Sequence, residues 1–600
     1  MVWVCLAGMA AHGASITLDR FEVGSAGPGT LRIVMAASGH GVEVGSYGVR
    51  TYLPDGLKSL SGFVPRNRHL YCVPEGTGGS TAHMLLDNGP ADRDDTTGRF
   101  ELEVSVAEWP DGMYTFLCYA DNRPNPGRYV AARRRIRVTV KDGIVDAERT
   151  GELDMISVRI LDWRVAPEEV TPGQPFTVVV NAETNDAAGV AIRLVSPYTV
   201  APDEVPPGFE YDAATKHFRG PSGRSGTPLT VSTRDWRPGV VHFSIVAEVE
   251  GAGGQVSAYR DAAVRVMPAD PAFSLEVESD TFLCKGTHFG TMCRLSDGSV
   301  LAHGHVTRDG GRTWERVGSA IPMAHQLADG EIVGLAMRTS PVSDEPGWFT
   351  TTLYRSQDGG HTVATETVRV HVPDATAGIG HAPAPGPLFW RSIVDGPDKR
   401  LLAAMYGWFK GDDVPVPGQE GSTRYRTFVV ESSDRGRSWE YLSTVAYDPS
   451  IGTEGYCEPV IRRLPGGDLM CLLRTGGNNR PYWQDNPLCQ TRSSDEGRTW
   501  AVPERTGVEG VSPDLCVMHD GVLACAYGRP GADLMLSADN GRTWTAHTCI
   551  DPERYSGYAA VCEVEPGILL YGYGAMDRID EETGDRSNQI RVARIRVTRH

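Results

Sequence analysis

Four side chains in the last third of the chain are of types that together could do chemistry. Glu458 sits in Gly455-Tyr-Cys-Glu-Pro459, and a hairpin later comes Arg474 in Leu472-Leu-Arg-Thr475. Arg529 follows in Tyr527-Gly-Arg-Pro-Gly531, and Tyr558 in Tyr555-Ser-Gly-Tyr-Ala-Ala560. Arginine forks bind a planar carboxylate bidentately, which lysine cannot reproduce. A neutral tyrosine made nucleophilic by a neighbouring glutamate can attack a centre that carries its own negative charge, where an anionic nucleophile would be repelled. Taken singly, each arginine reads equally as an ion pair between strands and Tyr558 as core packing. Taken together and in order, they read as a site. Histidines add proton-transfer capacity near neutral pH: His288, then His303 and His305, which fall on one strand face by period-two alternation, with His325 and His381 further on. For the first three, ordinary hydrogen-bonded turn and strand roles rank first, acid/base work second and a metal site third. No spacing of carboxylate and histidine supports metal, and no cofactor is called for.

Such residues must be brought together by the fold, and the repeat shows how. Five times a phrase of the form S/T-x-D-x-G-x-T/S-W returns, starting at Thr307, Ser356, Ser432, Ser493 and Ser537, with valine in place of tryptophan at 363. Hydroxyl and carboxylate tie up turn amides, glycine takes a positive φ, and tryptophan packs back between strands. These aspartates are therefore structural. Each unit reads as apolar strand, tight turn, apolar strand, repeat phrase. Five units and a sixth from Tyr558 to Val597 predict six blades over residues 272–600, with the last strand closing the ring on Phe273–Val277. A propeller collects functional groups where its inner strands meet the axis.

The repeat phrases are Asp boxes, and the chain resembles the sialidase (neuraminidase) superfamily of β-propellers. The resemblance implies that Tyr558 is the nucleophile, that Glu458 takes its proton, and that Arg474 and Arg529 are two members of a carboxylate-binding arginine triad. It extends the substrate-binding set to Tyr527 and His288. The first triad arginine is absent: His288, in Thr287-His-Phe-Gly-Thr291, stands in its place. The family's acid/base aspartate has no loop to occupy either, because Leu301-Ala-His303-Gly-His305-Val runs almost directly into Thr307. His303 and His305 are the substitutes the residues offer.

Upstream, residues 15–145 and 150–268 alternate short strands with Gly, Pro and Asn turns, at the size and spacing of two β-sandwiches, the second immunoglobulin-like. The class is all-β. Residues 1–14 read as the end of a secretory signal with a small-residue cleavage point, so the expected location is secreted or periplasmic. Cys72 and Cys118 lie in one sandwich and can pair in an oxidising compartment. A formal charge of −18 argues against nucleic acid as a partner, and no apolar run reaches membrane-span length. The expected partner is a glycan or polysaccharide. The reading is a retaining exo-glycoside hydrolase for a terminal acidic sugar. The alternatives are a uronate-specific lyase, since tyrosine and histidine beside an arginine-neutralised carboxylate suit β-elimination, and a non-catalytic glycan-binding propeller.

Overall fold

The computed structural model describes residues 15–600 except 41–45, 53–85, 89–98, 122–130, 154–157, 185–189, 196–201, 205–209, 213–216, 221–226, 232, 234–235, 237, 252–253, 269–270, 378–385, 417–421, 478–484, 530, 553–554 and 580–585. The N-terminal stretch 1–14, Cys72 and His381 lie outside the described residues. Cys118 is a buried thiol.

Strands account for nearly all regular structure. In the N-terminal part, a sheet led by Ser15–Gly27 and Thr30–His40 faces one built on Gly112–Asp121 and Ala131–Lys141, around a core that includes Leu31, Ile33, Phe116 and Ile136. A second pair of sheets, centred on Phe176–Thr184 and on Gly239–Gly251 with Gly254–Val266, encloses Phe176, Trp236 and Phe243. Among the described residues no helix is long and apolar enough to cross a membrane.

From Phe273 onward the chain forms six blades, each an antiparallel sheet whose strands follow one another outward. Their innermost strands are Met292–Arg294, His325–Gln326, Leu388–Asp395, Cys457–Arg463, Val511–Val517 and Tyr555–Glu565. Blade six closes the ring, because its fourth strand is Phe273–Lys285, paired antiparallel with the terminal Arg586–Arg599. The outer strands of blades two and three also pair in parallel, Arg369 to His371 alongside Ser438 to Glu440. Second strands such as Leu469–Arg474 and Leu523–Gly528 are buried at every residue. Each is covered by a neighbouring blade on both faces, so these segments read as continuous apolar runs without alternation.

The five Asp boxes share the same turn bonds from hydroxyl and carboxylate, and in two of them the tryptophan also donates to the glycine carbonyl. In the third, Ser432 Oγ accepts from Gly436 N at 2.8 Å, and Asp434 Oδ1 accepts from Ser438 N at 2.9 Å. Asp434 Oδ2 accepts from Ser438 Oγ at 2.6 Å, and Trp439 Nε1 donates to Gly436 O at 3.0 Å. Gly436 has φ +87, where a side chain would be strained, and it faces Leu353 of the preceding blade. Every box carboxylate is spent on its own turn, away from the axis. The boxes hold the outer rim together.

Those bonds favour the ionised form. Hydrogen bonds from Thr362 and Thr499 hold Asp358 and Asp495 down at about 2. Asp434 is also lowered: burial pushes it up, but Ser438 and Ser432 outweigh that. A depressed carboxylate contributes stability that is complete above its unfolded value near 4 and is lost as pH falls through the folded value. Resistance to thermal unfolding is therefore expected to fall steeply between about pH 4 and pH 2. Asp434→Ala should cost about 1–2 kcal/mol at neutral pH and lose part of that acid dependence, with turnover per folded molecule unchanged. Differential scanning calorimetry across pH checks both.

Candidate active site

The inner strands do not run straight past the axis. Pairing with the second strand breaks between Phe389 and Ile393, Cys457 and Val460, Val511 and Asp514, and Tyr555 and Ala559. At each break one residue takes a positive φ: Arg391 (52), Glu458 (44), Ser512 (48) and Gly557 (93). A bulge bends its strand and re-aims side chains. Four successive blades thus direct a residue toward one central region.

Tyr558 and Glu458 meet there. The tyrosine hydroxyl donates to Glu458 Oε1 at 3.2 Å, although the two residues lie 100 apart in sequence. Glu458 is buried, and the same Oε1 accepts from Arg474 Nη1 at 2.7 Å. Its other oxygen, Oε2, is buried without a hydrogen-bond partner among the described residues. Burial pushes the Tyr558 hydroxyl up to about 12; the Glu458 charge adds to the rise, while Arg529 and Arg474 oppose it. The phenol is neutral at pH 7 and aimed at a carboxylate. Gly557 allows the approach: a Cβ there would lie 2.6 Å from Arg529 Nε.

Both predicted arginines flank this pair, in different ways. The Arg529 guanidinium carbon lies 5.9 Å from the centre of the Tyr558 ring. Arg474 is enclosed, its Nη2 on Glu454 at 2.9 Å, its Nη1 on Glu458 and its Nε on the carbonyl of Gly476 at 3.0 Å. Burial favours its neutral form, but the charges of Glu454 and Glu458 prevail and hold it well above the usual arginine value. In this arrangement the Arg474 fork is occupied by protein carboxylates.

His288 comes edge-on to Tyr558, with ring centres 4.6 Å apart. Loss of solvent on the face that meets protein lowers its pKa; Arg529 and Arg391 lower it further, and Glu458 partly opposes them. The other two histidines are elsewhere, and they do not share a strand face. His303 lies in the tight turn between Val300–Ala302 and His305–Thr307, at φ 49, followed by Gly304 at φ 72, so the alternation stops before it. Its Nε2 accepts from Gly290 N at 2.8 Å, and its ring packs on Phe289. Burial, with a smaller effect of His305, takes it down to about 4. It is thus neutral and committed as an acceptor near pH 7. His305 Nδ1 is 2.9 Å from His303 O. Both brace the segment that presents His288. Tyr527 is likewise not at the pocket: it is buried in the core shared by blades four and five, against Leu488, Leu515 and Met535. Its alternation phase in a strand buried on both faces carried no information about direction. His325, in blade two, pairs with Asp395 at 3.1 Å.

Several residues at the centre escaped the sequence reading. Arg391 is buried and crosses the axis, Nε donating to Ser512 Oγ at 3.1 Å and Nη1 to Gly290 O at 3.2 Å and to Ala559 O. It links blades three, five, one and six directly beneath the Tyr558 strand. The Trp390 ring centre stands 5.7 Å from that of Tyr558 and 5.7 Å from that of Tyr406, and its buried Nε1 has no acceptor among the described residues. Tyr425, packed on Tyr406, has a buried hydroxyl in the same condition. Position was the available signal: Trp390-Arg391 stands in blade three where Cys457-Glu458 stands in blade four.

Residues 319–570 match a family model described as a BNR repeat-like domain. No curated protein matches the chain. Among solved structures, it is similar to a protein of unknown function from Dyadobacter fermentans DSM 18053, at 15% identity and TM-score 0.38, over 54% of this chain and 99% of that one. It is also similar to a Hadza microbial sialidase, Hz136 (14%, TM-score 0.36, 73% and 96%), and to the RS223 β-xylosidase (11%, 0.27, 53% and 95%). With five Asp boxes on the outer turns of a six-bladed ring and a BNR match across its middle blades, this chain carries a β-propeller with a BNR repeat-like domain.

Proposed function

We propose that the protein is a sialidase-like exo-glycoside hydrolase that releases a terminal acidic sugar with retention of configuration. The observation that carries the reading is the hydrogen bond from the Tyr558 hydroxyl to Glu458 on the axis. In the proposed reaction Tyr558 oxygen attacks the anomeric carbon while its proton passes to Glu458, and the glycosidic oxygen leaves. Water then cleaves the tyrosyl intermediate, giving its proton to the His288 imidazole that protonated the leaving oxygen, and the departing phenolate takes its proton back from Glu458. Arg474 positions Glu458 and balances the two carboxylates around it. Arg529 faces the substrate carboxylate, beside the tyrosine that attacks next to it. His288 is the nearest group able to protonate the leaving oxygen.

That assignment has a pH consequence. A His288 with lowered pKa is cationic only below its ordinary value near 6.5, so donation from it fades as pH rises through the acid range. Activity is expected to peak on the acid side, and His288→Gln should flatten the alkaline limb. With His288 in place of an arginine, sialyl-lactose should be cleaved poorly and another acidic terminal sugar well. Release of reducing sugar from a panel of uronate-, nonulosonate- and neutral-terminated glycans tests this. Preference for neutral ends would remove the carboxylate argument.

The contact between His288 and Tyr558 also favours a second reading, uronate β-elimination, in which the two move protons at adjacent carbons. Product ultraviolet absorbance from an unsaturated uronate would select it; binding with neither product would select a lectin-like role. A glycan substrate goes with a secreted or periplasmic protein, which cell fractionation tests.

A further inference from the structure

A second cluster of reactive side chains lies far from the axis, where the second sandwich meets blade five. Gly239–Gly251 brings in His242; Ala532–Ser537 brings in Asp533; Thr545–Asp551 brings in Cys549, the direct cross-strand partner of Asp533. The imidazole, carboxylate and thiol ligand atoms all lie within 4.8 Å of one another. His242 and Asp533 are 5% and 1% exposed. We propose that His242, Asp533 and Cys549 bind a zinc ion that fastens the sandwich to the propeller.

Three observations support a ligand rather than a simple polar contact. His242 Nε2 meets Asp533 Oδ2 at 2.6 Å, but His242 Nδ1 and Asp533 Oδ1 are both buried with no hydrogen-bond partner among the described residues. Buried polar atoms are ordinarily satisfied, so two orphans on adjoining groups mark something that completes them. Space is kept open at the same point. A Cβ on Gly531 would lie 2.4 Å from His242 Cε1 and 3.2 Å from Cys549 Sγ, so glycine is required for the three groups to converge. The donor set is also selective. Imidazole, thiolate and carboxylate suit zinc, whereas magnesium and calcium prefer oxygen alone. Zinc bonds of about 2.0–2.3 Å place tetrahedral ligands roughly 3.3–3.8 Å apart. Binding through the Nε2 edge of the imidazole therefore widens the 2.6 Å His242–Asp533 contact by roughly 0.7 Å. The thiol releases its proton to solvent as the Zn–S bond forms, and water takes the fourth position.

The test uses the full chain stripped with chelator and titrated with cobalt(II), then zinc. One equivalent of cobalt should give a thiolate charge-transfer band in the near ultraviolet and tetrahedral bands in the visible, both bleached by zinc. Zinc should raise Tm in the wild type, since it binds the folded state alone. Cys549→Ser, at a partly exposed position, should lose the thiolate band and weaken binding at least 10-fold while leaving the Tyr558 site untouched; His242→Asn should weaken binding similarly. Absence of saturable binding by wild type would overturn the proposal, as would a thiolate band that persists in Cys549→Ser. Hydrolysis is not a readout, so failure here and failure of the proposed activity are separable.

Discussion

Tyr558→Phe is expected to remove turnover on every substrate, by about 10⁴-fold or more, the scale seen when a covalent nucleophile is deleted. Only one hydroxyl leaves. The ring keeps its contacts with His288 and Trp390, and the hydrogen bond lost is a 3.2 Å contact to an acceptor that Arg474 still satisfies. Tm should therefore move little. A fluorinated acidic-sugar probe that traps the intermediate should label wild type at Tyr558 and leave the variant unlabelled. Because the phenol pKa is pushed up to about 12, attack depends on Glu458 taking the proton as the bond forms, and Glu458→Gln should slow turnover nearly as much. Undiminished hydrolysis by Tyr558→Phe would end the covalent mechanism and leave the lyase or the binding role.

Arg474→Met is expected to have the largest effect on stability. Arg474 is the cation between Glu454 and Glu458, and all three residues are enclosed. Removing one partner of a buried pair strands the opposite charge and typically costs about 3–5 kcal/mol. Here two carboxylates are stranded close together, so one must take up a proton in the folded variant. The sign with pH follows. Carboxylates raised above their unfolded pKa destabilise the variant above that value, so the deficit should be full at neutral pH and shrink as the solution is acidified. Denaturant unfolding of wild type and variant from pH 4 to pH 8 measures this. A constant deficit would show that packing, not charge, was lost. Arg474→Lys should retain part of the stability but position Glu458 poorly, since an ammonium cannot serve two carboxylates and a carbonyl in one plane.

Much of this molecule is written in consecutive residues. The Asp boxes needed no tertiary information: hydroxyl, carboxylate and glycine close each turn within a few residues, and the structure repeats the same bonds at Asp309, Asp358, Asp434, Asp495 and Asp539. The repeat then implies the ring, because a blade cannot bury both its faces alone. Resemblance to a known family pointed to Tyr558 and Glu458, and local spacing pointed to neither. Direction at the axis was not legible, because it is set by bulges that interrupt the alternation on which such a reading relies. That is why Arg391 was missed and Tyr527 misplaced. His303 turned out to brace Gly290 because a two-residue turn at positive φ reversed the chain where a strand was expected. Partners far apart in sequence could be decided only by ring closure and domain docking: Tyr558 with Glu458 across 100 residues, His242 with Asp533 across 291. Short-range hydrogen bonding made the blades, and long-range packing chose which side chains meet.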